Sequence, residues 1–390
     1  MELIPPTNFD DTLVDEFKTM GIKETYGKLA IDFIGGGRPA SGLHYVSKRR
    51  AAEHIRKLHD AGISFNYLLN ASCLGSIEFT RLGRKKIYRL FRWLVDIKVD
   101  KITVTIPYLL QLIKDKHPHL KLCVSTIAEV DSLQKALFWQ KIGADEITLS
   151  HLSLCRNFNQ LSLIRKAVSC KLRLIANAGC LYQCPLSQYH TSWDSHASQL
   201  RFSNKAGLLI SYCTLFCRYL RLLNPDEFIR SQWIRPEDLH IYENIGINAI
   251  KLTDRRCSSS EIIKITKAYS ERKYQGNLLD LLPAFHGGIP VNRSNVWLKW
   301  KYFFHPFETN MFSIFRFVRL MEDIKVYIDN KKLGGFIKKF IDEDCSLKDC
   351  SRCLYCDKIA KEVVSYDREK IEWLRKRYKD FLDNFIKGRY

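Results

Sequence analysis

The α/β fold this sequence predicts is a (β/α)8 TIM-like barrel with a helical, cysteine-bearing C-terminal extension. Three observations lead there. Strand-like apolar runs alternate with stretches of 3.6-residue periodicity, eight such runs fit into about 250 residues, and the strand pattern stops near Pro283. A doubly wound open sheet would show the same alternation, so the strand count carries the choice.

Residues 1–28 read as a polar N-terminal arm, and the barrel is expected over residues 29–282. Its strands are expected at Leu29–Ile34, Ile63–Asn70, Ile102–Ile106, Leu120–Ile127, Glu146–Ser150 and Lys171–Ala176, with weaker ones at Ile229–Ile234 and Ile247–Thr253. Helices are expected at Ser47–Ala61, Thr80–Ile97, Asp131–Ile142 and Pro236–Ile245. Asp131 stands where a cap belongs, Pro236 in a first turn, and Gly62, Gly143 and Gly246 at helix ends. The segment Leu186–Asn224 interrupts the alternation after the sixth strand and reads as a long functional loop. Gly287, Gly288 and Pro290 mark a linker, and residues 283–390 read as aromatic-rich, basic helices.

Composition narrows the class. With 46% hydrophobic and 27% charged residues, disorder is not expected. No apolar run approaches the ~18–20 residues of a membrane span. The start, MELIPPTNFDD, lacks the pattern of a secretory leader, so a cytoplasmic location is expected. Thirteen cysteines in a reducing compartment make a disulfide framework a poor explanation and metal ligation a better one. A formal net charge of +20 favours anionic partners: nucleic acid, phosphates or carboxylates. Part of that charge lies on helical stretches (Lys48–Arg50, Arg84–Lys86, Arg375–Lys379), where solvated helix faces are the plain alternative.

Two cysteine groups stand out. Cys180 and Cys184, in NAGCLYQCPLSQYH, and Cys213 and Cys217, in SYCTLFC, form two C-x3-C pairs. The first lies at the C-terminal end of a strand, the face where barrels carry their chemistry. Four thiolates can close a site around a 4Fe–4S cluster or around zinc, and the loose spacing suits a rim cluster better. The second group, Cys345, Cys350, Cys353 and Cys356, packs four thiols into twelve residues between helical patterns. It reads as a ferredoxin-type loop for a second Fe–S cluster, with a compact zinc site as the alternative. Cys73, Cys123, Cys155, Cys170 and Cys257 read as core or incidental, although Cys73 and Cys257 follow strands and could serve as replacement ligands.

The run AGCLYQCPLSQYH, with FWQKIGADEITLSHLSL (Phe138–Leu154), IRPEDLHIYENIGINAIKLTDRR (Ile234–Arg256) and KAYSERKYQGNL, resembles the collagenase-like peptidases (peptidase family U thirty-two). The likeness runs from about residue 30 to 282. It implies a barrel with one 4Fe–4S cluster. It also implies oxygen-independent hydroxylation, since better understood members act on ubiquinone precursors, a ribosomal RNA cytidine or tRNA uridines, some with prephenate as oxygen donor. Cys184 matches the family's Gly-Arg-Cys cysteine; Cys180, Cys213 and Cys217 match less strictly. The sequence departs from the pattern in having only His151 where Arg-Glu is common, His240 where some relatives ligate through cysteine, and the extra Cys345–Cys356 quartet.

Further candidates flank the barrel mouth. Gly35–Gly37 could bring backbone N–H groups to an anion that Arg38 clamps, or form a plain turn. Lys251 and Arg255 close the last strand, where barrels bind phosphate or carboxylate, with a surface ion pair as the alternative. His190 and His196, with Tyr182 and Tyr189, are acid–base candidates or ordinary loop residues. There is no HExxH, no G-x-S-x-G and no evident Cys/His protease signature. The reading is an Fe–S hydroxylase or oxidoreductase for an anionic small molecule, peptide or RNA, with an electron donor or partner subunit conceivable and no membrane. The alternatives are a zinc-stapled RNA-binding protein and a peptidase.

Overall fold

The structure is a computed structural model and describes residues 1–202, 211–285 and 325–389. Eight parallel strands, β1 (Glu2–Ile4), β2 (Glu24–Gly27), β3 (Ser64–Leu69), β4 (Lys101–Val104), β5 (Lys121–Val124), β6 (Glu146–Thr148), β7 (Lys171–Ile175) and β8 (Ala249–Lys251), pair in the order β1-β8-β7-β6-β5-β4-β3-β2. The sheet's two ends meet where Thr7 N–H donates to Tyr26 O (2.9 Å) and Tyr26 N–H to Pro5 O (3.3 Å). The result is a nearly closed TIM-like barrel, as the alternation predicts.

Helices α1 (Thr12–Thr19), α2 (Lys48–Asp60), α3 (Arg81–Asp96), α4 (Pro107–Lys116), α5 (Leu133–Lys141) and α6 (Phe158–Ala167) lie in the first six connections. The β7–β8 connection holds four: α7 (Ser187–Ala197), α8 (Tyr212–Leu223), α9 (Glu227–Arg230) and α10 (Leu239–Ile245); α11 (Ser259–Ser270) follows β8. Caps set their starts: Ser47 accepts from Arg50 N–H, Thr80 from Gly83 N–H, and Ser258 with Glu261 forms a capping box. The cap of α5 is Ser132, one residue past the expected Asp131. Gly62, Gly143 and Gly246 all take left-handed φ at helix ends. The basic run Arg84–Lys86 lies on the exposed face of α3, opposite buried Ile87, Leu90 and Leu94.

Three expectations are corrected. Residues 1–28 are not an arm, because β1 and β2 are barrel strands pairing with β8 and β3. Leu29–Ile34 is a buried loop beyond β2; the strand itself, with Glu24 and Tyr26 buried, carries no apolar alternation that would reveal it. Ile229–Ile234 is α9 and irregular chain, not a strand. Its apolar residues signal burial, and its backbone is held by Arg156, whose guanidinium donates to Ile229 O (2.7 Å) and Trp233 O (3.3 Å).

The described C-terminal residues form short helices, the long helix Arg368–Ile386 and a two-stranded antiparallel sheet, β9 (Val326–Ile328) with β10 (Val364–Tyr366). They share one hydrophobic core with the barrel helices. Gly287, Gly288 and Pro290 lie outside the described residues.

Inside the barrel, charge replaces the usual branched apolar layer. Glu24 receives Arg173 (2.9 and 3.1 Å), Lys101 (2.5 Å) and Asn66 (3.1 Å), and Lys101 also reaches Glu146 (2.6 Å), which Arg173 pairs as well. Burial pushes the Glu24 carboxyl up, but Arg173 and Lys101 outweigh it and hold it at about 2. Because that value is depressed, the stabilisation is present above the ordinary value of 4.5 and is lost as pH falls toward 2. Glu24→Gln should therefore lower the unfolding free energy by about 3–5 kcal/mol at neutral pH, measured by chemical denaturation. The gap to wild type should narrow across that acid window; a gap independent of pH would show that Glu24 ionisation does not carry it.

Candidate metal centre and barrel mouth

The chain beyond β7 brings the first cysteine pair to the barrel's C-terminal rim, and α8 brings the second. Cys213 and Cys217 are four residues apart on α8 and so share a face. Arg221, one turn further, donates to Cys217 Sγ (2.9 Å) and to Gly179 O, fastening α8 to the Cys180 loop. Cys213 Sγ lies 3.9 Å from Leu186 O. The thiols act on one another: Cys184 feels Cys180 and Cys217, and Cys213 feels Cys217. Burial first, with repulsion from Cys180 and Cys217, pushes Cys184 up to about 12; burial, then Asp194 and after it Cys217, pushes Cys213 to about 11. Such thiols ionise when a cationic centre takes them as ligands, so the donor set fits a thiolate-bound metal or cluster. Among the described residues, however, no three Cys, His, Asp or Glu side chains gather tightly enough to hold a single ion.

His151, just beyond β6, stands out in the sequence only as a departure from the Arg-Glu pattern, which gives no sign of its contact with a cysteine. Its Nε2 lies 3.3 Å from Cys180 Sγ and its Nδ1 lies 2.8 Å from Thr126 Oγ1. The Thr126 hydroxyl donates to Leu149 O (3.0 Å), so it accepts from Nδ1–H and leaves the Nε2 lone pair facing the Cys180 thiol. Burial, then the Arg38 charge, lowers His151 to about 4, so the ring is neutral. No spacing signal joins His151 to Cys180, because they arrive on successive βα loops.

The mouth itself is cationic. Arg38 Nε donates to Asp254 Oδ2 (2.8 Å), and Arg256 donates to the same carboxylate. Burial opposes ionisation there, but Arg256 and Arg38 hold Asp254 well below the usual carboxylate range. Lys28 pairs with Asp32 (2.6 Å). Among the described residues, Arg255 is 5% exposed and has no hydrogen-bond or ion-pair partner. Lys251 also lacks a counter-ion there; its ammonium sits 3.8 Å over the Tyr26 ring, and burial brings it down to about 7.

Of the two alternatives for the glycine loop, the anion cradle does not form, because its N–H groups are bonded within the protein. Gly35 N–H donates to Asp32, Gly36 N–H to Ser198 and Gly37 N–H to Asn70, leaving none for a ligand. The glycines serve close packing: a Cβ on Gly35 would meet Ser195 O at 2.8 Å. His190 sits on α7 beside Asp194 (3.8 Å), and His196 stacks on Phe202 (4.7 Å). His240 is exposed, bonded to Glu237 O (3.0 Å). Tyr189 is exposed and Tyr182 half-buried. Of the two replacement ligands considered, Cys257 is buried beside Asp254 and Cys73 accepts from Gly75 N–H (3.3 Å).

Lys251 gives a measurable consequence. Its folded value is depressed, so between about 7 and its unfolded value of about 10.4 the unfolded chain binds the extra proton and stability rises with pH. Denaturation midpoints of wild type and Lys251→Met, measured from pH 6 to about 10, should diverge in favour of wild type as pH rises. Parallel curves would show that Lys251 titrates normally.

Residues 44–275 match the model of peptidase family U32. The chain is similar to an uncharacterized protease of Methanocaldococcus jannaschii, 31% identical over 333 residues, which are 85% of this chain and 86% of that one. Among solved structures it is similar to the U32 peptidase Mk0906, with TM-score 0.48 and 22% identity over 65% of this chain and 93% of that one. It is also similar to the homocysteine methyltransferase MmuM from Escherichia coli, with TM-score 0.37 and 9% identity over 70% and 96%. With more than half of its length matched by the family model and a relative aligned along most of the rest, this chain belongs to peptidase family U32.

Proposed function

We propose that the chain is an iron–sulfur enzyme that modifies an anionic substrate bound in the barrel mouth, by oxygen-independent hydroxylation or a related redox reaction. The observation that carries this reading is the rim carrying Cys180, Cys184, Cys213 and Cys217, with Arg221 joining Cys217 to the Cys180 loop, beside a mouth whose Arg255 has no partner among the described residues. A cluster held by those four thiolates would supply a redox-active iron centre and a Lewis acid toward a bound oxygen donor such as prephenate. Arg255 and Lys251 would bind the substrate's carboxylate or phosphate, and the anion would restore charge to Lys251. Arg38, held by Asp254 and acting on both His151 and Cys180, would orient the substrate between mouth and rim. His151 Nε2 offers a proton-accepting position at the same edge.

The second reading is a thiol peptidase, and the His151–Cys180 contact favours it, since nucleophile, base and an orienting third group are in line. Against it, burial raises the Cys180 thiol and lowers His151, so the reactive ion pair is disfavoured.

Anaerobic purification with iron and acid-labile sulfide counted per chain tests the proposal. Cys184→Ser should lose about one cluster per chain and its activity; a fully active variant with unchanged iron sinks it. Comparing RNA and metabolites of cells with and without the gene should reveal a product one oxygen lighter in the deletion. Peptide cleavage that survives iron removal and is abolished by alkylating Cys180 would instead establish the peptidase. Once a substrate is known, Arg255→Met should raise KM by roughly tenfold or more with little effect on kcat.

A further inference from the structure

We propose that Cys345, Cys350, Cys353 and Cys356 form a second ligand set, which takes its own iron–sulfur cluster and sits on Arg156 at the outer flank of the rim site. All four cysteines line one cavity together with Arg230, Lys339, Lys348 and Tyr355. The sequence assembles the site locally. Asp344 accepts from Ser346 N–H (2.8 Å) and Asp349 from Ser351 N–H (2.9 Å), turning the chain twice. Cys350–Cys353 is a single helical turn that ends at left-handed Leu354, from which the helix Tyr355–Val363 carries Cys356 back to the cavity.

The surroundings favour an anionic occupant. Arg156 is 2% exposed, clamped over Trp233 (4.4 Å), Phe336 (4.8 Å) and Phe340 (5.2 Å), and acts on Cys345 and Cys356. Its Nε is buried without a hydrogen-bond partner. A buried guanidinium with an open donor is an unusual expense in a core unless a negative centre offsets it. Arg230 and Lys348 also line the cavity, but each is paired, with Asp226 and Glu227 and with Glu343, which lines it too, so Arg156 carries the argument. Two centres share this thiolate chemistry, a cluster and a single zinc ion, but the thiols do not gather tightly enough for a single ion. The order C-x4-C-x2-C is that of plant-type ferredoxins, and the thiols are spread round a cavity, so the geometry favours the cluster.

The two cysteine groups are neighbours. Tyr182 lies between Cys180 and Cys184 in sequence, yet after burial the strongest influences on its phenol are Cys345 and Cys350. Asn157 Nδ2 bonds Ser346 Oγ (3.2 Å), tying the quartet loop to α6. That loop is thereby fastened to the start of α6, and its ligands are separate from those of the rim.

The test is metal content of the full chain prepared anaerobically. Wild type should carry about six iron and six sulfide per chain if the quartet holds a 2Fe–2S cluster beside a 4Fe–4S rim cluster, and about eight of each if both are 4Fe–4S. Cys350→Ser and Cys353→Ser should each lose the quartet's share, about two to four iron, and Cys184→Ser the rim's, about four. One zinc per chain, lost from the quartet variants while iron stays, overturns the proposal, as does iron unchanged in both. Should the variants fail to fold, the wild-type count decides alone, because about four iron per chain is used up by a 4Fe–4S rim cluster and leaves none for the quartet. The two readings fail separately: iron lost only in Cys184→Ser leaves the rim and refutes the quartet, and iron lost only in the quartet variants does the reverse.

Discussion

The barrel depends on four interlocked charges. Glu24, Lys101, Glu146 and Arg173 come from β2, β4, β6 and β7, so the pairs Lys101–Glu24, Lys101–Glu146 and Arg173–Glu24 tie non-adjacent strands together, while Arg173–Glu146 joins the neighbours β6 and β7. An apolar filling would tolerate some slippage of register; this one does not, because a two-residue shift of any of these strands would strand a charge where desolvation is costly. The arrangement also explains the mouth above it. A lumen neutralised by its own pairs can carry a further layer in which Lys251 and Arg255 are left for something else to satisfy.

That same polarity limited what the sequence disclosed. Strands β3 to β8 were legible because their outward faces are apolar and their flanking helices are well capped, as the glycines at 62, 143 and 246 show. β2 was not, since Glu24 and Tyr26 face inward and the apolar run Leu29–Ile34 lies in the loop beyond. The reverse error occurred at Ile229–Ile234, where buried Ile229, Trp233 and Ile234 serve a loop whose carbonyls Arg156 satisfies. Among site residues, the cysteines were readable because their ligand sets are built from local spacing. His151 and Arg156 were not, because each becomes meaningful only through partners supplied by other loops.

Three arginines do related work at increasing distance from the lumen. Arg38 joins Asp254 to the edge of the cysteine rim, Arg221 joins α8 to the Cys180 loop, and Arg156 supports the outer quartet. Arg156 and Arg221 are buried and Arg38 is a third exposed. Each uses the planar fork that lysine lacks to hold more than one group: Arg38 a carboxylate and Gly37 O, Arg221 the Cys217 thiol and Gly179 O, Arg156 two backbone carbonyls. Much of the positive charge evident in the sequence is nevertheless solvated helix surface, as α3 shows. Net charge alone is therefore a weak guide to the substrate.

The last long helix, Arg368–Ile386, grips α8 directly. Tyr378 receives Arg218, while Arg375 bonds Leu222 O (2.5 Å) and Leu223 O (3.2 Å). Since α8 carries Cys213 and Cys217, two of the rim thiols are braced by residues made more than a hundred and fifty positions later. The consequence is one of timing during synthesis. A chain that emerges N-terminus first can close its barrel early, yet the helix of Cys213 and Cys217 gains its final support only when the last helix has left the ribosome. Bracing of these rim thiols is thereby coupled to completion of the chain, and a truncated product would present a folded barrel with a loosened grip on its cysteines.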